Sequence, residues 1–312
     1  MSTRSDQLEV GLVVTVQVPA TSANLGPGFD CFGLALDWRE SVTLEVIASG
    51  YQTVVTGEGA DVIPRDASHL ILRSALTGLA DLGVTAPGLK LSCHNTIPHG
   101  RGLGSSSAAI VAGLVAAQAL AGHPLDRRWV LAHADAIEGH PDNVAAAIYG
   151  GFVLAYAGAN GVQAAPAEVL PEIGTVVFVP ETPVATAAAR GLLPDAVPHR
   201  EAAANAGRAA LLVHALTAAP DLLAAATRDW LHQDYRQGAM PQSYALMQDL
   251  RSCGFAAVIS GAGPSVLVLG RAGDLAPLQQ APRPGFRTLA VGIGGGAGVS
   301  ENRRAARTTG QM

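Results

Sequence analysis

Apolar and polar positions change period several times along the chain, and each change predicts an element. Val10 to Val18, V-G-L-V-V-T-V-Q-V, is rich in β-branched residues and predicts a strand. Pro19 to Asp30, P-A-T-S-A-N-L-G-P-G-F-D, carries two prolines, two glycines and an asparagine and predicts an irregular loop. Ser41 to Ala48 alternates polar and apolar residues, as a half-buried strand does, and Tyr51 to Thr56 is expected to pair with it. The period then becomes helical: Leu70, Ile71, Ala75, Leu79 and Leu82 share a face between Ser68 and Leu82, and Gly83 closes the helix. Leu89 to His94 reads as a short strand. A helix opens at the serines after Gly104, runs to Ala121 and stops at Gly122 and Pro124. Asp126 is the expected N-cap of the next helix, which ends near Glu138. Gly139 to Asn143 predicts a tight turn, and Val144 to Tyr149 a further helical turn before Gly150 and Gly151.

The stretch Ala157 to Pro171 is rich in Gly, Ala and Pro and has no clear period. A domain boundary is placed in it, giving one domain over residues 10–165 and a second over 166–295. The second half opens with a strand at Thr175 to Val179 and a helix from Thr186. Helices are expected at Glu201 to Leu216, Asp221 to Trp230 and Gln242 to Ser252. Strands at Ala256 to Ser260 and Ser265 to Leu269 flank a G-A-G-P loop, and Phe286 to Ile293 is the last strand. Residues 296–312 are expected to be a disordered tail.

Composition narrows the class. Hydrophobic residues make up 49% of the 312 and charged residues 14%, enough apolar material for a real core. Net charge is −5 and no block of like charge occurs, so neither a nucleic-acid nor a membrane-surface partner is expected. Cys31, Cys93 and Cys253 lie far apart with no C-x-x-C pair, which argues against a thiolate metal site. The polar start, Met1 to Val10, lacks the apolar core of a signal peptide, and Ala108 to Ala117 is too short to span a bilayer. A cytoplasmic location is the expectation.

Three segments carry candidate chemistry. In Gly102 to Ala109, G-L-G-S-S-S-A-A, two glycines precede three serines at a predicted helix start. Glycine lets backbone approach a ligand closely, and helix N–H groups, hydroxyls and the helix dipole suit phosphates. The residues alone equally allow a Gly-rich turn into a Ser-capped helix. The pattern is not G-x-x-x-x-G-K-[ST], because the only lysine, Lys90, sits upstream in a predicted strand. A nucleotide bound here would rely on backbone amides, serines and a metal ion. Gly261 to Ser265, G-A-G-P-S, is a second glycine turn or simply a tight hairpin. Glu138 to Asn143, E-G-H-P-D-N, gathers two carboxylates, an imidazole and an amide, a set that a solvated turn could also use. The chemical reading places Glu138 on Mg²⁺, which commonly takes one or two carboxylates with phosphate oxygens. It turns His140, Asp142 and Asn143 toward an acceptor hydroxyl.

Together and in this order the segments resemble the GHMP kinase superfamily. P-A-T-S-A-N-L-G-P-G-F-D resembles its first motif, P-H-G-R-G-L-G-S-S-S-A-A its phosphate loop, and S-G-A-G-P-S its third motif. Within that superfamily the homoserine kinase family is the most similar, through N-L-G-P-G-F-D-C-F-G-L-A-L from Asn24, G-H-P-D-N-V-A from Gly139, T-A-A-A-R from Thr186 and H-Q-D-Y-R from His232. The likeness covers residues 14 to 295.

The resemblance implies an α+β fold of two domains, the first like the second domain of ribosomal protein S5 and the second ferredoxin-like, with the active site between them. It implies ATP and Mg²⁺ as cofactors, L-homoserine as the small-molecule partner, a place in threonine biosynthesis and a homodimer. Pro98, Arg101, Gly102, Leu103, Gly104, Ser105, Ser106 and Ser107 would surround the nucleotide, and Ser106 and Glu138 would bind Mg²⁺. Asn24, Asp30, His140, Asp142 and Asn143 would meet the amino and hydroxyl ends of the acceptor, with Asn24, His140 and Asp142 nearest the chemistry. Arg190 and Arg236 would hold its carboxylate, Thr186 would also bind the acceptor, and Gly261 to Gly263 would stiffen the pocket beneath it. An arginine fork suits a carboxylate because it binds in two places. Asp142 is either a general base or an orienting group, with a γ-phosphate oxygen taking the proton in the second case. His69 stands where family members often carry an asparagine that helps to hold adenine, and Gly57 to Asp66 has no counterpart. A relative acting on mevalonate, shikimate or a sugar would share this fold and nucleotide site, and a non-catalytic relative would keep the fold alone. Arg190 with Arg236 argues against a neutral sugar, Asp30 as partner of an amine argues for an amino acid, and Ser106, Glu138 and Asp142 argue for turnover.

Overall fold

The structure, a computed structural model, describes residues 6–304, apart from the side chains of Thr186, Ala187 and Arg304. A short strand β1 (Asp6–Gln7) is followed by β2 (Leu12–Ala23) and its antiparallel partner β3 (Phe32–Val46). β2 runs beyond the predicted strand. The register shifts between Pro19 and Ala20, and this irregularity accommodates a residue that cannot donate to the ladder, so pairing continues to Ala23. Irregular chain therefore begins only at Asn24.

After β4 (Gly50–Gly57) come α1 (Leu70–Asp81), the two-residue β5 (Val84–Thr85) and β6 (Gly88–Asn95). β4 does not pair with β3 as expected. β6 lies between them, antiparallel to β3 and parallel to β4, because a helix crossover returns the chain in the same direction. α2 (Ser105–Leu120) is buried on almost every side, which its all-round apolar sequence requires. α3 (Arg127–Glu138) is capped by Asp126, whose carboxylate accepts from the N–H groups of Arg128 and Trp129. α4 (Pro141–Tyr149) replaces the expected tight turn: Pro141 occupies the first helical position, where its missing N–H costs nothing. Asp142 and Asn143 thus lie in a helical first turn.

β7 (Phe152–Gly158) and β8 (Gly161–Ala167) form a hairpin whose turn and second strand fall in the stretch read as aperiodic. Alanine carries little polar–apolar contrast, so the alternating exposure of β8 left no sequence pattern. The seven-stranded sheet has the order β13-β2-β3-β6-β4, with β7 on the free part of β3 and β8 beyond it. Its edge strand β13 (Gly298–Arg304) corrects the expected tail. The polar, charged S-E-N-R-R run covers the outer edge of β2, which otherwise presents unpaired backbone groups. Residues 305–312 lie outside the described residues.

A second sheet contains β9 (Ile173–Pro180), β10 (Ala256–Ile259), β11 (Val266–Arg271) and β12 (Phe286–Val291). Its antiparallel order β10-β11-β9-β12, with helices in the β9–β10 and β11–β12 connections, is the ferredoxin-like arrangement. These helices are α5 (Thr186–Arg190), α6 (His199–Thr217), α7 (Leu223–Ala226), α8 (Pro241–Ser252) and α9 (Ala276–Gln280). The helix expected over Asp221 to Trp230 stops at Ala226. Asp229 accepts from the N–H groups of Leu231, His232 and Gln233, and this side-chain alternative to helical bonding shapes an irregular loop down to Met240.

Strand alternation divides the core. Val177, Val179, Val258, Leu267 and Leu269 face the seven-stranded sheet's core, which includes α1 to α4. Val176, Phe178, Ala257, Ile259, Val266 and Val268 pack with Leu246, Met247 and Leu250 of α8 and Leu278 of α9. Burial on both faces explains why these strands read as unbroken apolar runs.

Candidate active site

A cavity of about 530 Å³ lies where the two sheets' loops meet, within the size range of ligand sites. The first turns of three helices line it: Leu70 and Ile71 of α1, Ser105 and Ser106 of α2, and Asp142 and Asn143 of α4. The helix dipole makes each of these ends favourable to negative charge.

The phosphate-loop candidate is held by backbone geometry that only glycine allows. Gly104, the residue before α2, has φ 68°, and a Cβ there would stand 1.9 Å from Thr21 Oγ1. Gly102 has φ 70°, and its Cβ would stand 2.1 Å from the Ser260 carbonyl oxygen. The third glycine segment lies directly against this loop. Ser260 Oγ donates to the Gly102 carbonyl at 2.6 Å, and Ser265 N–H donates to the Arg101 carbonyl at 3.2 Å. Asn24 joins the first segment to the third: its Nδ2 donates to the Gly261 carbonyl at 2.9 Å, and its Oδ1 accepts from Asp30 N–H at 2.9 Å. Asn24, Leu25 and Asp30 all have positive φ, a concentration of backbone strain typical of functional loops.

Several predicted nucleotide residues line the cavity, among them Pro98, Leu103, Ser105, Ser106 and His69. Arg101 also lines it, but its guanidinium donates to the carbonyls of His99, Pro180 and Glu181 and ties the loop to β9. Ser107 is fully buried behind the wall. Gly263 sits behind Gly261 and Ala262 and does not line the cavity. His69 caps α1: its Nδ1 accepts from Ile71 N–H at 3.2 Å, and its buried Nε2 has no partner among the described residues. Burial holds its pKa below the usual histidine range, with His99 adding to the effect.

Glu138, at the end of α3, receives two hydroxyls on one oxygen. Ser106 Oγ donates to Oε1 at 2.6 Å and Ser107 Oγ at 2.9 Å. One carboxylate and a hydroxyl, all oxygen, fit a magnesium ion that completes its shell with phosphate and water rather than an all-protein cage. No group of three or more His, Cys, Asp or Glu side chains with metal-binding geometry occurs among the described residues.

At the acceptor end, Asp142 is 3% exposed and Oδ1 accepts from Asn143 N–H at 2.8 Å. His140 Nδ1 lies 3.4 Å from the same oxygen, too poorly aligned for a hydrogen bond but close enough for an ion contact. Asp142 raises the His140 pKa, against the opposing effect of burial. Thr21 Oγ1 donates to Asn143 Oδ1 at 2.8 Å, so the amide is fixed by β2.

The arginines behave differently. Arg236 is 1% exposed, yet its bonds go to the carbonyls of Ala189 and Gly261 and to His232 Nδ1, with no carboxylate among them. Burial lowers its pKa to about 10, with Arg190 contributing. His232 Nε2 is 2.8 Å from the Gly26 carbonyl; donation there leaves Nδ1 to accept from Arg236, and burial holds the ring's pKa down. Arg190, at the end of α5, binds Asp30 in two places, Nη1 to Oδ2 at 3.0 Å and Nη2 to Oδ1 at 2.5 Å. Both guanidiniums stand 5.5 Å from the centre of the Phe29 ring, a cation–π contact for each. Thr186 opens α5, and its side chain lies outside the described residues.

Phe29, His232 and Thr21 were not singled out in the sequence. Phe29 and His232 lie inside the quoted G-P-G-F-D and H-Q-D-Y-R segments. Their roles depend on packing between distant segments, which no local pattern displays.

Fold and cavity together define a small-molecule kinase of the GHMP class, and the family model described as the GHMP kinases N terminal domain matches residues 69–151. The chain is 56% identical to the homoserine kinase of Streptomyces coelicolor over 259 residues, covering 82% of this chain and 84% of that one. It is 50% identical to the homoserine kinase of Cutibacterium acnes over 278 residues, 88% of this chain and 94% of the relative. The crystal structure of homoserine kinase from Cytophaga hutchinsonii superposes with a TM-score of 0.82 at 27% identity, covering 96% of this chain and 98% of that one. The chain belongs to the homoserine kinase family. No helix among the described residues is long and apolar enough to cross a membrane.

Proposed function

We propose that the protein transfers the γ-phosphoryl group of ATP to the side-chain hydroxyl of L-homoserine, giving O-phospho-L-homoserine and ADP, a step of threonine biosynthesis. The observation that carries this reading is Arg236: a fully buried cation without a carboxylate partner, on the wall of a cavity that three helix N-termini also line. A buried charge left unpaired is costly, and an acceptor carboxylate supplies its partner. The helix starts suit a polyphosphate.

In this reading Gly102, Gly104, Ser105 and Ser106 bind the phosphates through backbone N–H groups and hydroxyls. Their loop is buttressed by Ser260 and needs no reorganisation on binding. Ser106 and Glu138 would hold Mg²⁺, which when bound offsets the phosphate charge. His69 meets the nucleobase. Arg190 and Arg236 hold the acceptor carboxylate, Asp30 the ammonium, and Asn24 fixes the loop that carries Asp30.

Asp142 aligns the acceptor hydroxyl. Its Oδ1 is engaged by Asn143 and His140, and Oδ2 has no hydrogen-bond partner among the described residues. Phosphoryl transfer needs little covalent help, so positioning and charge compensation supply most of the rate. Asp142→Asn tests the fate of the proton. An essentially unchanged kcat removes Asp142 from the role of base and leaves the proton to a phosphate oxygen; a large loss is the outcome for a base and for an aligning group alike.

The test is ADP release with Mg·ATP and a panel of L-homoserine, mevalonate, shikimate, galactose and no acceptor. Turnover with L-homoserine alone is expected. Turnover with another acceptor would keep the kinase and replace the substrate.

A further inference from the structure

A second cavity, of about 460 Å³, lies between α6, α7 and α8 and shares no lining residue with the active-site cavity. Three arginines line it: Arg208 of α6, Arg228 in the loop after α7, and Arg251 of α8. None of the three makes an ion pair among the described residues. Arg228 rests over the Trp230 ring, 5.3 Å from its centre. Arg251 Nη1 donates to the carbonyls of Thr227 at 3.1 Å and Ala257 at 2.7 Å, which fixes the guanidinium and leaves Nε and Nη2 without a partner among the described residues. The two carboxylates on the wall do not answer these charges. Both oxygens of Asp229 are taken by its own loop, Oδ1 by the N–H groups of Leu231 and His232 and Oδ2 by the N–H and Nε2 of Gln233. Asp234 Oδ1 accepts from the Tyr244 hydroxyl at 2.8 Å. Burial lowers the Arg251 pKa, and the charge of Arg228 lowers it further, with a larger effect than Asp229 or Asp234 exerts in the other direction.

We propose that this cavity binds a small phosphate-bearing molecule and that its occupancy is passed to Arg236 through the loop that the two cavities share. The ligand class follows from the donors. A guanidinium fork pairs with two oxygens of an oxyanion. A carboxylate has two oxygens and one charge, whereas a phosphate has three or more oxygens and nearly two charges and can answer three forks. The route to the active site is short. Arg228, Asp229, Gln233 and Asp234 face the second cavity, and Arg236 of the same loop lines the first. Asp229 holds the His232 N–H, and His232 Nδ1 accepts from Arg236 Nη1 at 3.2 Å. Gln233 Oε1 accepts from Ile259 N–H at 2.7 Å, two residues before Gly261, whose carbonyl also accepts from Arg236 at 3.2 Å. The repulsion between Arg228 and Arg251 acts between this loop and α8. An anion between them turns it into attraction and ties the loop down. Acceptor binding needs the same loop shape, so by linkage the anion strengthens it. This last step rests on the proposed function, in which Arg236 holds the acceptor carboxylate.

Titration calorimetry with inorganic phosphate reads the binding by itself. The protein is first saturated with a non-hydrolysable Mg·ATP analogue, so that the phosphate loop is filled. At low salt the Kd for phosphate should be about 1 mM or tighter, and it should rise at least about 10-fold in Arg228→Gln and in Arg208→Gln, each of which removes one charge-assisted contact. Arg228 is exposed and the Arg208 side chain bonds to nothing among the described residues, so both variants should fold, and either decides alone if the other does not. The second readout is the KM for L-homoserine at saturating Mg·ATP. It should fall about fivefold as phosphate fills the site, and Arg228→Gln should abolish that fall while leaving kcat without phosphate unchanged. Weaker binding by the wild-type protein, or equal binding by wild type and variants, would overturn the site. Binding that leaves KM unchanged would overturn the link to Arg236. A protein that binds phosphate through these arginines but does not phosphorylate L-homoserine would overturn the functional reading and leave the second site standing.

Discussion

Replacing Arg236 by methionine removes a cation while keeping most of the side chain's length, and its effects on stability and on binding can be worked separately. Burial holds the Arg236 pKa at about 10. At 1.36 kcal/mol per pKa unit, keeping the charge there costs the folded protein about 3 kcal/mol. Against this stand the bonds to Ala189, Gly261 and His232, at 3.2 to 3.3 Å. They contribute about 1 kcal/mol each, so about 3 kcal/mol is lost with the side chain. The two effects nearly cancel. Arg236→Met should shift Tm by less than about 4 °C in a chain of this size. Binding has no such compensation. Charge-assisted bonds to the acceptor carboxylate contribute about 3 kcal/mol, so KM for L-homoserine should rise more than about 100-fold while KM for ATP stays within about twofold. Calorimetric melting and steady-state kinetics on the same preparation give both numbers. A fall of more than about 10 °C in Tm with an unchanged KM for L-homoserine would refute the reasoning and make Arg236 a structural residue.

Other substitutions test the rest of the site. Gly104→Ala imposes a left-handed backbone, costing about 1–2 kcal/mol, on a residue whose Cβ would strike Thr21 Oγ1; titration should show Mg·ATP binding at least about 10-fold weaker. Glu138→Gln leaves an acceptor for the Ser106 and Ser107 hydroxyls but removes the charge, so kcat should fall about 100-fold and saturation should need more Mg²⁺. Glu40 concerns stability: burial raises its pKa to about 7, although it accepts from the N–H groups of Thr96 and Ile97. The folded protein holds that proton more tightly than the unfolded chain does. The resulting stability is therefore present below the ordinary carboxylate pKa and is lost as pH rises through about 7. In urea unfolding, Glu40→Gln should be more stable than wild type by up to about 3 kcal/mol at about pH 8, with the gap closing toward about pH 4.5.

What was legible in the sequence depended on contrast. T-V-V-F-V, A-A-V-I and V-L-V-L announced strands of a twice-buried sheet, and Asp126 announced a helix start through cap chemistry that is local by nature. Strand β8 was hidden by alanines, and L-L-A-A-A suggested a helix longer than α7 because the bonding around Asp229 is not a periodic signal. The glycine and serine segments were readable because their chemistry is written in consecutive residues. The Asp30–Arg190 pair was not, since it joins positions on separate loops, and the two residues were assigned to opposite ends of the ligand without any sign that they meet. Phe29 escaped for the same reason: a ring between two arginines exists only after folding.

The central claim is that phosphate moves from ATP to the hydroxyl of L-homoserine, and phosphorus NMR of a reaction mixture tests it directly. Incubation with Mg·ATP and L-homoserine should produce ADP and a phosphomonoester in equal amounts, with coupling to the γ-methylene protons. ADP accompanied only by inorganic phosphate, or a phosphoester on any other atom, would contradict the account.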